Sequence, residues 1–120
     1  MRHVKEGDGW RLGYDPDATV FKGLVGGDRW AVEMTQPEFQ DFCRLTQQLA
    51  KTVQAIAAEL MDEERITCEQ ETDHIWVEVE GLPADYSLRF ILLQGRNVEG
   101  AWPNCVIPEL MQAVASVGVL

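Results

Sequence analysis

The stretch Thr35-Gln36-Pro37-Glu38 and the apolar stripe behind it constrain this chain most. Thr35 is placed to cap the free amides of a helix. Glu38 sits where a capping-box carboxylate reaches back, and Pro37 falls in the first turn, where its missing N–H is harmless. From there Phe39, Phe42, Leu45, Leu49, Val53, Ile56 and Leu60 step by three or four, with Cys43, Ala50 and Ala57 widening one flank. Gln40, Arg44, Gln47, Gln48, Lys51 and Gln54 fall largely outside the stripe. The spacing predicts a long helix over residues 36–62 with one buried face. Such a helix needs a layer to cover, so its flanks decide the fold class.

Both flanks read as strands. In residues 9–35, Trp10, Leu12 and Tyr14 alternate with Arg11 and Gly13, and Asp15-Pro16-Asp17 supplies turn chemistry. The run from Val20 to Val25 ends at Gly26-Gly27-Asp28, and Trp30, Val32 and Met34 alternate behind it, a hairpin signal. The second meander, over residues 65–102, follows Asp62-Glu63-Glu64. With Thr72-Asp73 as its first turn, Ile66 faces Val79 and Cys68 faces Val77 on the core side. Arg65 then meets Glu80, Glu69 meets Trp76, and Glu71 meets His74 on the other. Tyr86 to Leu93 is apolar on both faces apart from Arg89, as a central strand would be. Val98 to Trp102 closes the meander before a helix over residues 106–117, where Ile107-Pro108-Glu109 echoes Gln36-Pro37-Glu38. The order predicts an α+β fold in one domain, residues 1–120: two antiparallel meanders, each followed by a helix.

Charge narrows the function more than composition does. The chain of 120 residues carries a net −10, and residues 1–35 hold five bases against six acids while the rest holds five against fourteen. Nucleic-acid affinity comes mainly from neutralising phosphates, so any anionic partner would have to meet the first third. The N-terminus MRHVKEGDGW has charge and glycine where an export signal needs an apolar core, and no apolar run reaches the roughly 20 residues of a membrane span. Cys43, Cys68 and Cys105 are widely spaced and odd in number, which fits reduced thiols and a cytoplasmic setting.

Catalytic templates are missing: no phosphate-binding or dinucleotide glycine motif, no His-Glu-x-x-His, no nucleophile elbow. Gly23-Leu24-Val25-Gly26-Gly27 sits between strands and reads as a hairpin. His74, beside Asp73 and Glu71, reads as a charge-paired turn histidine. Glu59, Asp62, Glu63 and Glu64 read as a solvated helix end, since a cation site needs oxygens converging from several segments. Cys43, on the flank of a core stripe, reads as buried filler. No cofactor or metal is expected.

Trp76 is different. It alternates with valines that must face the core, which sets it outward among Glu69, Glu78 and Glu80. A tryptophan on an acidic face points to a partner site, an oligomer contact, or cover by its own chain.

The runs GWRLGYDP, GLVGGDRWAVEMT, ELMDEERITCE, WVEVEG, YSLRFILL and VEGAWP resemble a cyanobacterial family catalogued as domain of unknown function 1818, over about residues 9–117. The resemblance implies a fold similar to the Whirly-type single-stranded-DNA-binding regulators, with two four-stranded meanders and an oligomerising tendency. It therefore implies a fourth strand in the first meander, from the N-terminus or from a split of residues 18–25. It brings no catalytic residues. The first functional expectation is a non-enzymatic protein-interaction or assembly subunit, probed through Trp76, Glu69, Glu78 and Glu80 and forming homo-oligomers. The alternative is a single-stranded nucleic-acid binder using Arg11, Lys22, Arg29 and Arg89, with Trp30 or Trp10 as a stacking platform, although both share strand faces with Val32 and Leu12 and read by default as core.

Overall fold

The computed structural model describes residues 1–61 and 63–117. Its first sheet contains β1 (His3–Gly7), β2 (Trp10–Tyr14), β3 (Gly23–Gly26) and β4 (Ala31–Met34), followed by helix α1 (Gln36–Ala57). Its second sheet contains β5 (Ile66–Glu71), β6 (Ile75–Leu82), β7 (Asp85–Leu92) and β8 (Glu99–Trp102), followed by a 3-10 turn over Asn104–Val106 and helix α2 (Ile107–Val117). Both sheets are antiparallel and run in sequence order. The α+β class and the doubled meander-helix order therefore hold.

The fourth strand comes from the N-terminus. β1 pairs with β2 from His3↔Tyr14 to Gly7↔Trp10. Every β1 side chain is exposed, so this edge strand leaves no apolar alternation in the sequence. The first meander thus starts at residue 3, not residue 9. The run from Val20 is also shorter as a strand than it reads. The Asp15 N–H donates to the Lys22 carbonyl, and Lys22 Nζ donates to the carbonyls of Pro16 and Ala18 at 2.8 and 2.7 Å. These bonds close residues 15–22 into a loop that leaves Val20 exposed.

The capping box of α1 forms as its residues dictate. The Glu38 amide donates to Thr35 Oγ1, and the Thr35 amide donates to Glu38 Oε1 at 2.8 Å. Phe39, Phe42, Cys43, Leu45, Leu49 and Val53 are buried along one face. The helix ends at Ala57, five residues short of the expected Asp62, which itself lies outside the described residues. Burial on the stripe runs out after Val53, and no basic residue in the last turn offsets the helix dipole.

The β5–β6 register is shifted by two residues from the expected one. Ile66 pairs with Gly81, Cys68 with Val79, Glu69 with Glu78 and Glu71 with Trp76. A shift of two keeps every side chain on its face, so inward and outward assignments stand while the neighbours change. The cause is the turn. Thr72 Oγ1 accepts from the amides of His74 and Ile75 and donates to Asp41 Oδ2 of α1 at 2.8 Å, making Asp73 and His74 the tip. Arg65 still reaches Glu80 at 2.8 Å. β7 is central as expected but buries only one face, with Leu88, Phe90 and Leu92 inside and Ser87, Arg89 and Ile91 on the other side.

The two halves interlock. Helix α1 lies against β5 and β6 as well as β3 and β4, and α2 reaches back to β2. At the junction, Phe42, Phe90, Trp30 and Trp102 form an aromatic cluster with centroids 5.0 to 6.0 Å apart. Trp102 Nε1 donates to the Gly26 carbonyl at 2.9 Å, tying β8 to β3. Two glycines make room for Trp30: a Cβ on Gly27 would lie 2.2 Å from its ring, and one on Gly100 2.5 Å. Burying such side chains contributes roughly 1.5–3 kcal/mol each.

Candidate functional site

Alternation along β6 sends Ile75, Val77 and Val79 into the core and Trp76, Glu78 and Glu80 to the outer side. The register then builds that side row by row. Glu71, Trp76, Ile91 and Glu99 lie across the sheet in one row, and Glu69, Glu78, Arg89 and Ala101 in the next. Trp76 is outward and half-buried. That cover comes from its own chain: the Arg89 guanidinium sits 4.8 Å from the ring centroid, and Arg89 Nε donates to Glu78 Oε1 at 3.0 Å. Glu69, Glu71, Glu80 and Glu99 are exposed around it. The four residues expected to form a partner surface thus share one face. Ile91 and Arg89 complete it, and neither was legible as part of it, because cross-strand neighbours depend on register.

The five residues of the nucleic-acid alternative are dispersed. Arg11, on the outer side of the first sheet, donates to the Trp30 carbonyl at 3.4 Å. Lys22 is held by the two carbonyls of its loop, and Arg89 belongs to the second sheet. Arg29, in the β3–β4 turn, has a side chain 93% exposed and only a loose pair with neighbouring Asp28, at 4.0 Å. Trp30 is wedged between Gly27 and Gly100 against Trp102 and Phe90, so its face is in the core cluster.

The remaining candidates separate clearly. His74 makes no ion pair among the described residues, contrary to its reading as a charge-paired histidine. Its backbone does the work of the turn, the amide on Thr72 and the carbonyl accepting from Leu93. Among the described residues no three His, Cys, Asp or Glu side chains converge on a metal position, and Asp62 of the acidic helix end lies outside them. Burial pushes the Cys43 thiol up to about 12, so it is protonated and unreactive at neutral pH. A groove of about 540 Å³ beside it runs along α1 and α2, lined by Gln40, Arg44, Gln47, Lys51, Val114 and Val117. Across it Gln47 Nε2 donates to the Val114 carbonyl at 3.3 Å, joining the two helices.

One ion pair has no local signal in the sequence. The Arg96 guanidinium, in the β7–β8 loop, donates to the Glu33 carbonyl at 2.9 Å and to the Glu38 carboxylate. Glu38 is 2% exposed, so its charge is held by Arg96 and the Thr35 amide in a site with little water. Arg96 also covers the Phe21 ring at 4.8 Å. The second half thereby grips the helix start of the first.

No helix of the described residues is long and apolar enough to cross a membrane. The chain is similar to a crystal structure of a protein with unknown function from the DUF155 family of Prochlorococcus sp. NATL2A, with 30% identity and a TM-score of 0.90. That likeness covers 97% of this chain and 98% of the other. No curated protein matches it. The family model for domain of unknown function DUF1818 matches residues 5–117. On that span, covering both meanders and both helices, the chain belongs to the DUF1818 family.

Proposed function

We propose that this protein is a non-enzymatic protein-interaction or assembly subunit of the cytoplasm that docks through the outer face of its second sheet. One observation carries the reading: Trp76 stands on the outer side of a sheet beside Ile91, with the exposed Arg89 side chain laid over its ring. An indole with an apolar neighbour and a polar rim has the anatomy of an interface centre, where buried aromatics supply most of the binding energy. The acidic rim favours partners that are not nucleic acid. The alternative, a single-stranded nucleic-acid-binding regulator, draws on the Whirly-type likeness that the family resemblance implies and on exposed Arg29. Four of its five residues are engaged inside the protein, so it ranks second.

The test is capture of the tagged protein with its partners, retaining both protein and nucleic acid, beside size-exclusion chromatography. Trp76→Ala is expected to lose a partner or change the oligomer size. An unchanged elution profile and partner set would overturn the reading.

A further inference from the structure

The chemistry around Trp76 narrows the kind of partner, an inference that rests on the proposed reading of this face. Five carboxylates, those of Glu69, Glu71, Glu78, Glu80 and Glu99, surround Trp76 and Ile91 on the outer side of the second sheet. Two of them have cations: Glu78 pairs with Arg89 and Glu80 with Arg65. Glu69, Glu71 and Glu99 have none within ion-pair distance among the described residues. The face is therefore left negative around an apolar centre.

We infer that this face receives an arginine-bearing segment of another protein, one guanidinium taking the place that Arg89 holds over Trp76 and beside Glu78. Arg89 shows that the geometry accepts this group, with its Cζ over an indole, 4.8 Å from the ring centroid, and its Nε 3.0 Å from a carboxylate. Its side chain is 49% exposed, and an exposed pair of this kind is weak enough to be displaced. An opening of about 250 Å³ bordered by Trp30, Arg89, Glu99, Gly100 and Ala101 lies alongside and offers a seat to an apolar neighbour of the incoming arginine. Arginine fits better than lysine because its flat guanidinium stacks on the ring while its edge donates to carboxylates. The net −10 of the chain adds long-range attraction for such a segment.

Fluorescence anisotropy on the full chain tests this, with a short labelled peptide alternating arginine and leucine, a twin carrying glutamate for arginine, and a labelled single-stranded oligonucleotide. The arginine peptide is expected to bind at low salt and to weaken as salt rises, while the twin and the oligonucleotide do not bind. Glu69→Gln and Glu78→Gln should each weaken binding by about fivefold, the size of one exposed charge pair. Trp76→Leu, which keeps an apolar side chain, should weaken it as well, and Arg89→Ala, which vacates the ring, should tighten it. Circular dichroism confirms that each variant is folded. Absence of peptide binding at low salt, equal binding of the glutamate twin or the oligonucleotide, or indifference to both Trp76→Leu and Arg89→Ala would overturn the inference. A captured partner that is lost on Trp76→Ala but docks an acidic segment would overturn it too, and would leave the reading of the face standing.

Discussion

The chain writes nearly the same helix start twice, and the two copies fare differently. In the first half, Thr35, Pro37 and Glu38 form a complete capping box, and Glu38 is buried and paired with Arg96. In the second half, Pro108 and Glu109 follow a 3-10 turn whose entry at Pro103 has no side-chain cap, and Glu109 stays exposed in the first turn. The difference lies in what each helix start meets. The Glu38 side of the α1 start is closed over by Arg96 of the β7–β8 loop, whereas at the start of α2 Val106 and Ile107 are buried but Pro108 and Glu109 are left exposed. A shared local pattern sets where a helix begins. Its energetic weight comes from what the fold lays over it.

The comparison breaks most readily at the aromatic junction that brings the halves together. Trp102→Ala removes a buried ring from the cluster with Trp30, Phe42 and Phe90 and the bond to the Gly26 carbonyl. Chemical denaturation is expected to show a loss of about 3–5 kcal/mol. A loss under about 1 kcal/mol would mean that the sheets are not joined there.

Arg96→Ala tests the unequal helix starts directly. It leaves the Glu38 carboxylate buried without its cation, and a loss of about 2–3 kcal/mol is expected. That figure sits below the cost of breaking a fully buried pair because the Arg96 side chain is 31% exposed. Glu109→Gln, at the matching position of the second half, should stay within about 0.5 kcal/mol. Equal effects of the two changes in urea melts would erase the distinction.

The smallest effect is chemical. Cys43 lies on the buried face of α1 with its thiol pushed up by burial, and Cys105, beside the start of α2, is exposed. Under native conditions at neutral pH a thiol reagent is expected to label Cys105 quickly and Cys43 only after unfolding; equal rates would show that α1 does not seal its site. The same burial predicts a stability trend. The unfolded chain ionises Cys43 near its ordinary 9.0 while the fold holds the proton to about 12, so this contribution is complete below pH 9 and is lost as pH rises through that window.

Much of the architecture was legible because it rests on short-range periodicity. The stripe from Phe39 to Val53, the inward valines of β6 and the outward Trp76 all follow from spacing alone. The errors fall where periodicity is silent. β1 has no buried face to reveal it, and the tip at Asp73-His74 is set by the Thr72 hydroxyl bonded to Asp41 from a different element. Trp30 was legible as a core residue from the strand face it shares with Val32, and it does pack on the core, but the slot between Gly27 and Gly100 that holds it exists only once the sheets meet. The candidate site was half legible. Trp76, Glu69, Glu78 and Glu80 share a face by alternation, whereas the placing of Ile91 and Arg89 beside them needed the β6–β7 register.

By itself the sequence determined, apart from the exposed β1, the kind and order of the elements, the helix starts and which side of the strands turns inward, because these depend on residues a few positions apart. Only the tertiary structure decided that Arg96 holds Glu38, that Trp102 ties β8 to β3, and that Arg89 lies over Trp76. Those contacts join residues 58, 76 and 13 positions apart, and only the closed fold brings them together.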